Sequence, residues 1–451
     1  LFVAIWPLLT KNQLNIGEIK LTGMELNLMR NEQGKTNWED ITQTKTEAVK
    51  STEPETTTAA ESERSAVPAI TVAGIDIRDA TINWTDKQNQ QQITLSRANI
   101  SISQLIENTP FDFKLSTRLL SDKPAINGDI TLSSKPTIAL SEQVFNLAET
   151  QLTVDLSGDA VPGGKNQSSL TGNILYDGQK QQLDIPQLKL SSYDVNINGQ
   201  FHTLTTDKGL QYNGIFTIDS FSPKQLASRL GAALPEMKNP SALSSADMQL
   251  EITGDQNQLA ISSLSANLDN TSLTGSASIK NFQTSRYKFD LALNQLDLDY
   301  YAAVEAAQKS EQTTAKNDNE KAASSRQVTA GSSTAKPDTS NSLLPLDTLR
   351  QLNLDGKLSI GKFKAGGAKM TNVIIILKGE RGIIQLAPLT GDLYNGKINL
   401  TSTIDANKDT PVIKLVNKLS QVQIGDLLSD TTGSKEFTGK ANIKANITTV
   451  G

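Results

Sequence analysis

A pattern that returns at three places sets what this chain can fold into. Residues 183–199 read LDIPQLKLSSYDVNING and residues 259–275 read LAISSLSANLDNTSLTG, so that Leu183, Ile185, Leu188 and Gly199 are matched without a gap by Leu259, Ile261, Leu264 and Gly275. From Ile384 a looser copy, IQLAPLTGDLYNGKINL, puts Ile384, Leu386, Leu389 and Tyr394 in the places of Leu183, Ile185, Leu188 and Tyr193. Each copy reads as a strand, a short polar corner and a second strand. A second recurring element, a strand that runs into a helix-prone segment, is carried by FTIDSFSPKQL from Phe216, LNQLDLDYYAAV from Leu293 and LSQVQIGDLLSD from Leu419. Self-similarity of this kind is the signature of a repeat architecture.

The rest of the chain has the same texture. Ile16, Ile19, Leu21, Met24, Leu26 and Leu28 alternate around Gly23, and NEQG is expected to turn on Gly34 into a hairpin closed by Trp38. Ile70 with Val72, Ile75 with Ile77, Ile82 with Trp84, Ile93 with Leu95 and Ile100 with Ile102 make five alternating pairs. Connections this short predict an antiparallel meander. Asn-Gly at 127–128 and 213–214 and Asp-Gly at 177–178 read as hairpin turns, and Asn-Gly at 198–199, inside a strand pattern, as a bulge. Gly356, Gly361, Gly366 with Gly367, Gly379 and Gly382 read as corners. One helix is clear, with Ser222 as N-cap, Pro223 at the first helical position and Gly231 at its end.

The fold class expected is therefore mostly β: an elongated, repetitive antiparallel meander, either an open groove or a curved sheet, with a few short helices. Its segments are an N-terminal β stretch at 1–42, a low-complexity linker at 43–67, a β-rich repeat region with short helices at 68–302, a second low-complexity linker at 303–342, and a β-rich region at 343–451. The chain opens in mid-pattern without a Met and reads as a fragment, which leaves room for a membrane anchor upstream of Leu1. No run of roughly 18 apolar residues is present to span a bilayer.

Composition narrows the function. Only 37% of the 451 residues are hydrophobic, which suits sheets with one wet face. A net charge of −5 with scattered Lys and Arg gives no basic stripe for nucleic acid, and the absence of cysteine removes thiolate metal sites and thiol nucleophiles. His202 stands alone on a strand, with neither a second imidazole nor a triad partner in local reach. Asp297 and Asp299 in LDLDYY share a strand face that in principle suits a hard cation, although a wet strand face with Asp299 capping the next few residues accounts for them. VPGGKN at 161–166 and KAGGAK at 364–369 lack the setting of a phosphate loop and read as turns. No catalytic constellation and no cofactor are expected. What remains is the apolar face, covered either by a second sheet or by acyl chains, and the pattern alone favours the second sheet.

The chain resembles the AsmA-like family of Gram-negative envelope proteins. The residues that carry the likeness are LNLMRNEQGKTNWEDI at 26–41, GIDIRDATINWTDKQ at 74–88, SPKQLASRLGAALPE at 222–236 followed by ALSSADMQLEITG, LDLDYY at 296–301, and the block from Leu344 to Gly396. The resemblance implies a non-enzymatic periplasmic body anchored in the inner membrane by a segment absent here. It implies a groove that binds or conducts phospholipid or another acyl lipid between the two membranes in support of the outer one. On that reading Ile75, Ile77, Ile82, Trp84, Leu183, Ile185, Leu188, Leu190, Leu259, Ile261, Leu358, Ile360, Val373, Ile375 and Leu386 contribute to an apolar lining. The alternative is a scaffolding or assembly factor that binds other envelope proteins around an ordinary packed core.

Overall fold

The computed structural model describes residues 3–4, 13–39, 69–304, 346–408 and 410–450, and the expected linker at 43–67 and all but Ala303 and Val304 of that at 303–342 lie outside them. The fold is mostly β with a few short helices. Contacts divide the chain into two units, one of residues 1–234, 241–296 and 358–361 and one of residues 235–240, 297–357 and 362–451.

The first unit opens with β1 (Val3–Ala4), β2 (Gln13–Ile16), β3 (Ile19–Thr22), β4 (Glu25–Arg30), β5 (Ala69–Val72), β6 (Ile75–Asp86), β7 (Gln91–Ile102) and β8 (Leu105–Ile106). Here the meander expectation needs correction. β3 and β4 both lie parallel to β6, and β2 lies parallel to β5, so the chain crosses over after β4 instead of turning back. The hairpin expected at NEQG shrinks to a turn on Gly34 (φ 85°) and a single bridge between Arg30 and Thr36. The five apolar pairs at 70–102 also merge: Ile75 to Trp84 lie on one strand and Ile93 to Ile102 on another. The breaks between them are bulges at Asp79 (φ 51°) and Arg97 (φ 51°) rather than turns.

From there the strands run in sequence order and antiparallel. They are β9 (Phe113–Asp122), β10 (Ala125–Ala139), β11 (Val144–Ser157), β12 (Lys165–Asp177), β13 (Gln182–Ser192), β14 (Val195–Thr206), β15 (Gly209–Phe221), then after α1 (Pro223–Arg229) β16 (Ala246–Asp255), β17 (Gln258–Leu268), β18 (Thr271–Lys280) and β19 (Arg286–Asp297). α1 starts and stops as its sequence dictates. The Ser222 hydroxyl accepts the Gln225 N–H, Pro223 needs no partner at the first position, and Gly231 leaves the helix at φ 75°. The cousin segment after Leu293 makes no helix; residues 298–301 are a turn.

The second unit contains α2 (Leu346–Gln351), β20 (Asn353–Ala365) apart from its residues 358–361, β21 (Ala368–Glu380), β22 (Ile383–Leu393), β23 (Gly396–Asp405), β24 (Val412–Gln423), α3 (Ile424–Thr432) and β25 (Lys440–Val450). β21 to β25 pair consecutively and antiparallel. Gly356 and Gly361 lie inside β20 and Gly379 inside β21, so only Gly366 with Gly367 and Gly382 make corners.

The Asn-Gly expectation fails for a packing reason. Asn127–Gly128 lies within β10 and Asn213–Gly214 within β15, while Asp177–Gly178 does open the turn between β12 and β13. A Cβ on Gly199 would stand 2.6 Å from the Phe216 ring, and one on Gly214 would stand 2.8 Å from the other side of that ring. These glycines are therefore spaces that an aromatic side chain lies across. The bulge expected at 198–199 sits on the facing strand instead.

That bulge explains the repeat. Leu188 pairs with Gly199 and Ile185 with Phe201, so Pro186 and Gln187 together oppose one residue of β14. The same slip falls between Ile261 and Leu264 and between Leu386 and Leu389. A step of three residues would turn the apolar side chains to the other face, and the bulge restores them to the first. The corner after it holds Tyr193 and Asp194, or Tyr394 and Asn395, at positive φ, which suits a tight hairpin. Other bulges share one latch: the N–H groups of Asp79, Glu149 and Gln421 donate to the side-chain oxygens of Asn99, Asn173 and Asn442, at 3.1, 2.9 and 2.9 Å.

Candidate functional site

Because the bulges keep faces in phase, one line of apolar side chains crosses the first unit without interruption. Leu21 pairs with Ile77, Ile77 with Ile100, Ile100 with Leu115 and Leu115 with Leu132. The line continues through Leu152, Leu170, Leu190 and Ile197. It ends through Ile218, Met248, Ala266, Leu273 and Leu293. It runs through β3, β6, β7 and β9 to β19. The neighbouring line on the opposite face is polar as far as Thr274 on β18, beginning Lys20, Asp76, Ser101, Lys114, Ser133 and Gln151.

None of the residues in the apolar line is buried. Leu21 is exposed and the others are half-exposed. A face packed against a second sheet would bury such a line, as the interior of a sandwich does. The buried apolar residues, among them Phe111, Val161, Ala242 and Val422, fall outside it.

Ile75, Ile77, Ile82 and Trp84 share this face on β6, as do Leu183, Ile185, Leu188 and Leu190 on β13 and Leu259 and Ile261 on β17, and all are half-exposed. In the second unit Ile375 pairs with Leu389 beside Leu386, also half-exposed. Leu358 is half-exposed, while Ile360 and Val373, each 3% exposed, are covered by the protein itself. The repeats point to only part of the long line. Leu115, Leu132, Leu152, Leu170, Ile197, Ile218, Met248 and Leu273 lie outside the residues they single out, and a search for one apolar residue per strand at a constant register is the signal that finds them.

The RN…G…NW segment at 30–38 ties the end of β4 to the end of β6. Asp86 is 2% exposed and accepts from Arg30 Nε at 3.0 Å, from the Gln88 and Asn89 N–H groups at 3.0 and 3.1 Å and from Asn89 Nδ2 at 3.0 Å, and Arg30 adds a second contact through its terminal nitrogen. The Arg30 hydrogen bonds, against the opposing effect of burial, hold its pKa down to about 2 from 3.8. The stability this confers is complete above pH 3.8 and is lost as pH falls towards 2. Asn37 accepts from Met29 N–H at 2.9 Å and donates to the Asn27 carbonyl at 2.9 Å, standing in for a neighbouring strand, and Trp38 lies 5.4 Å from Trp84. Every member of the motif has a structural task.

Two corners built alike flank the turns of the first and third repeat copies. In the first, the Tyr193 hydroxyl donates to the Pro162 carbonyl at 3.0 Å, Gly163 lies against the Arg229 carbonyl, and Arg229 pairs with Asp194. In the second, the Tyr394 hydroxyl donates to Asp430 at 2.7 Å, Gly367 lies against the Asp430 carbonyl, and Lys369 pairs with Asp430 at 3.0 Å. Burial, reinforced by the hydrogen bond to Asp430, raises Tyr394 to about 12.

The chemistry-bearing residues are paired with one another. His202, expected to stand alone, faces Asp184 across the ladder and contacts its carboxylate. Burial would raise Asp184, but the hydrogen bonds from His202 and Gln182 hold it below the ordinary carboxylate range. Lys364 bridges Asp297 at 3.3 Å and Asp299 at 3.4 Å, so the protein's own ammonium lies where a cation was considered. Asp299 caps the Gly366 and Gly367 N–H groups at 2.6 and 2.9 Å, not the residues next to it in the chain. Among the described residues no group of three His, Cys, Asp or Glu side chains could hold a metal, and no helix is long and apolar enough to cross a membrane.

No curated protein matches this chain. No solved structure matches it. Of the protein-family models, the one described as the AsmA family matches residues 1–451.

Proposed function

The chain belongs to the AsmA family, and from that premise we propose that it is a non-enzymatic periplasmic part of an inner-membrane-anchored envelope protein whose apolar face binds or conducts phospholipid towards the outer membrane. One observation carries the reading: the apolar line from Leu21 to Leu293 is continuous and nowhere buried. Acyl chains are a suitable cover, because each methylene kept from water contributes about 0.8 kcal/mol and no directional partner is required. A continuous line lets a chain slide from strand to strand between equivalent apolar contacts.

Native mass spectrometry of the purified protein tests this. Bound phospholipid is expected on the parent chain. Ile218→Asp, which interrupts the line within its run, is expected to lower occupancy at least tenfold while the far-ultraviolet circular dichroism stays that of a sheet. Absence of lipid on the parent, with Ile218→Asp merely unfolding it, would sink the reading.

A second reading, docking of other envelope proteins, is favoured by β25. Ile443 is 45% exposed and Ile447 53%, and the two share one face of the strand, which gives an apolar strand surface of the kind that recruits partners. A photoreactive residue at Ile447 that captures protein, with one at Ile185 that captures no lipid, would favour it.

A further inference from the structure

We infer that bound phospholipid has a fixed polarity on the first unit, with its headgroup along the edge marked by Tyr176, Tyr212 and Tyr287 and its acyl chains laid along the strands towards the opposite edge. This deepens the phospholipid reading and rests on it. The three tyrosines occupy a single register line. Tyr176 pairs with Leu183, and the line passes through Thr203 to Tyr212 and through Gly254, Leu259 and Ile279 to Tyr287. It is parallel to the long apolar line, on the same face, and lies next to the turns that end β12 and β18 and open β13, β17 and β19.

Tyrosine is the residue of boundaries between hydrocarbon and water, with an apolar ring and a polar tip. Tyr176 is 42% exposed and Tyr287 37%. Their hydroxyls make no hydrogen bond among the described residues, so they are available to a headgroup. Tyr212 is held in place: its hydroxyl donates to the Gln258 carbonyl at 3.1 Å, and its ring fits only because Gly254 lacks a Cβ, which would stand 2.4 Å from that oxygen. On the apolar face at the opposite edge, the polar groups of β12 and β13 already serve one another, with Asn166 Nδ2 donating to Ser168 and Ser192 at 2.8 and 3.0 Å and the Tyr193 N–H donating to Asn166 at 3.2 Å.

Leu183, Ile185, Leu188 and Leu190 are four apolar residues of β13 that lie opposite six residue steps of β14, from Ile197 to Thr203, so at about 3.4 Å per residue the band from the tyrosine line to the long apolar line is roughly 20 Å wide. The hydrocarbon of one leaflet is about half of a ~30 Å core. An acyl chain laid along a strand therefore fits within that band.

Two phosphatidylethanolamines test the polarity on the full chain, one with a diazirine on the headgroup and one with a diazirine at the acyl terminus, with labelled residues mapped by peptide mass spectrometry. The headgroup probe is expected to label the 178–181 and 281–285 turns at least fivefold over the 193–194 and 269–270 turns, and the terminal probe to label Leu190, Ile197 and Ile218. The double variant Tyr176→Leu, Tyr287→Leu, which touches no hydrogen bond of the sheet, is expected to abolish the headgroup preference while lipid stays bound. Labelling of the apolar face by both probes with no edge preference, or with the reverse one, overturns the polarity and leaves phospholipid binding standing. Labelling of neither line overturns both.

Discussion

The first and second units use the same repeat to different ends. In the first, Ile185 passes to Phe201, Gly214 and Ile252, and Gly199 passes to Phe216 and Leu250, so neither line meets a polar side chain. In the second, Leu386 passes to Ser402 before Leu415, and Leu400 passes to Asn417, whose side-chain oxygen is buried without a partner. The repeat copies differ at one telling position: Gly199 and Gly275 become Leu400, so the first unit opens space where the third copy fills it. The bulge conserves the face in all three copies, and the residues on that face decide whether it is continuous.

The largest expected effect comes from exchanging that position. Gly275→Leu would put a Cβ 2.1 Å from the Asp290 carbonyl oxygen at a φ of 145°, and is expected to cost more than about 4 kcal/mol in denaturant unfolding. Leu400→Gly only removes a side chain from the second unit and is expected to cost about 2–3 kcal/mol. Equal costs would mean that the two copies are interchangeable. Next in size is Asn417→Leu, which removes the orphaned oxygen and joins Leu400 to an apolar neighbour; it is expected to stabilise the chain by about 1 kcal/mol by thermal or chemical unfolding.

The smallest effect separates the two corners by pH. The hydrogen bonds from Tyr394 and Lys369 lower the Asp430 pKa below 3.8, so its contribution is present above that value and is lost as pH falls through the lowered one. Tyr394→Phe is expected to flatten the acid limb of a stability profile between pH 5 and 2. Tyr193→Phe, which removes a bond to a carbonyl, is expected to lower stability equally at every pH. An unchanged acid limb in Tyr394→Phe would remove the distinction.

Local rules were legible in the chain. The Ser222–Pro223 cap, the corner after Leu190, the two double-glycine turns and the strand content follow from residue type. What was not legible depends on neighbours distant in sequence. Asn127–Gly128 and Asn213–Gly214 have the composition of turns, but Leu156 and Phe216 need the room those glycines leave. The parallel placement of β3 and β4 on β6 is a choice of connection, which apolar alternation does not encode. The long apolar line is hidden because bulges at Asp79, Arg97 and Glu149 shift the count within single strands. The pairing of His202 with Asp184 likewise exists only through the register of β13 on β14.

The bulge also sets how such a sheet can change over generations. Its face depends on parity, and each hairpin with one bulge carries its own correction, entering and leaving in phase. Whole hairpins can therefore be duplicated or lost without disturbing the line on either side, and the sheet grows in steps of two strands. A single inserted residue is tolerated only at a bulge, where one strand already counts differently from its neighbour. The identical spacing of 183–199 and 259–275, whose first strands β13 and β17 stand four strands apart, is what growth in whole hairpins would leave.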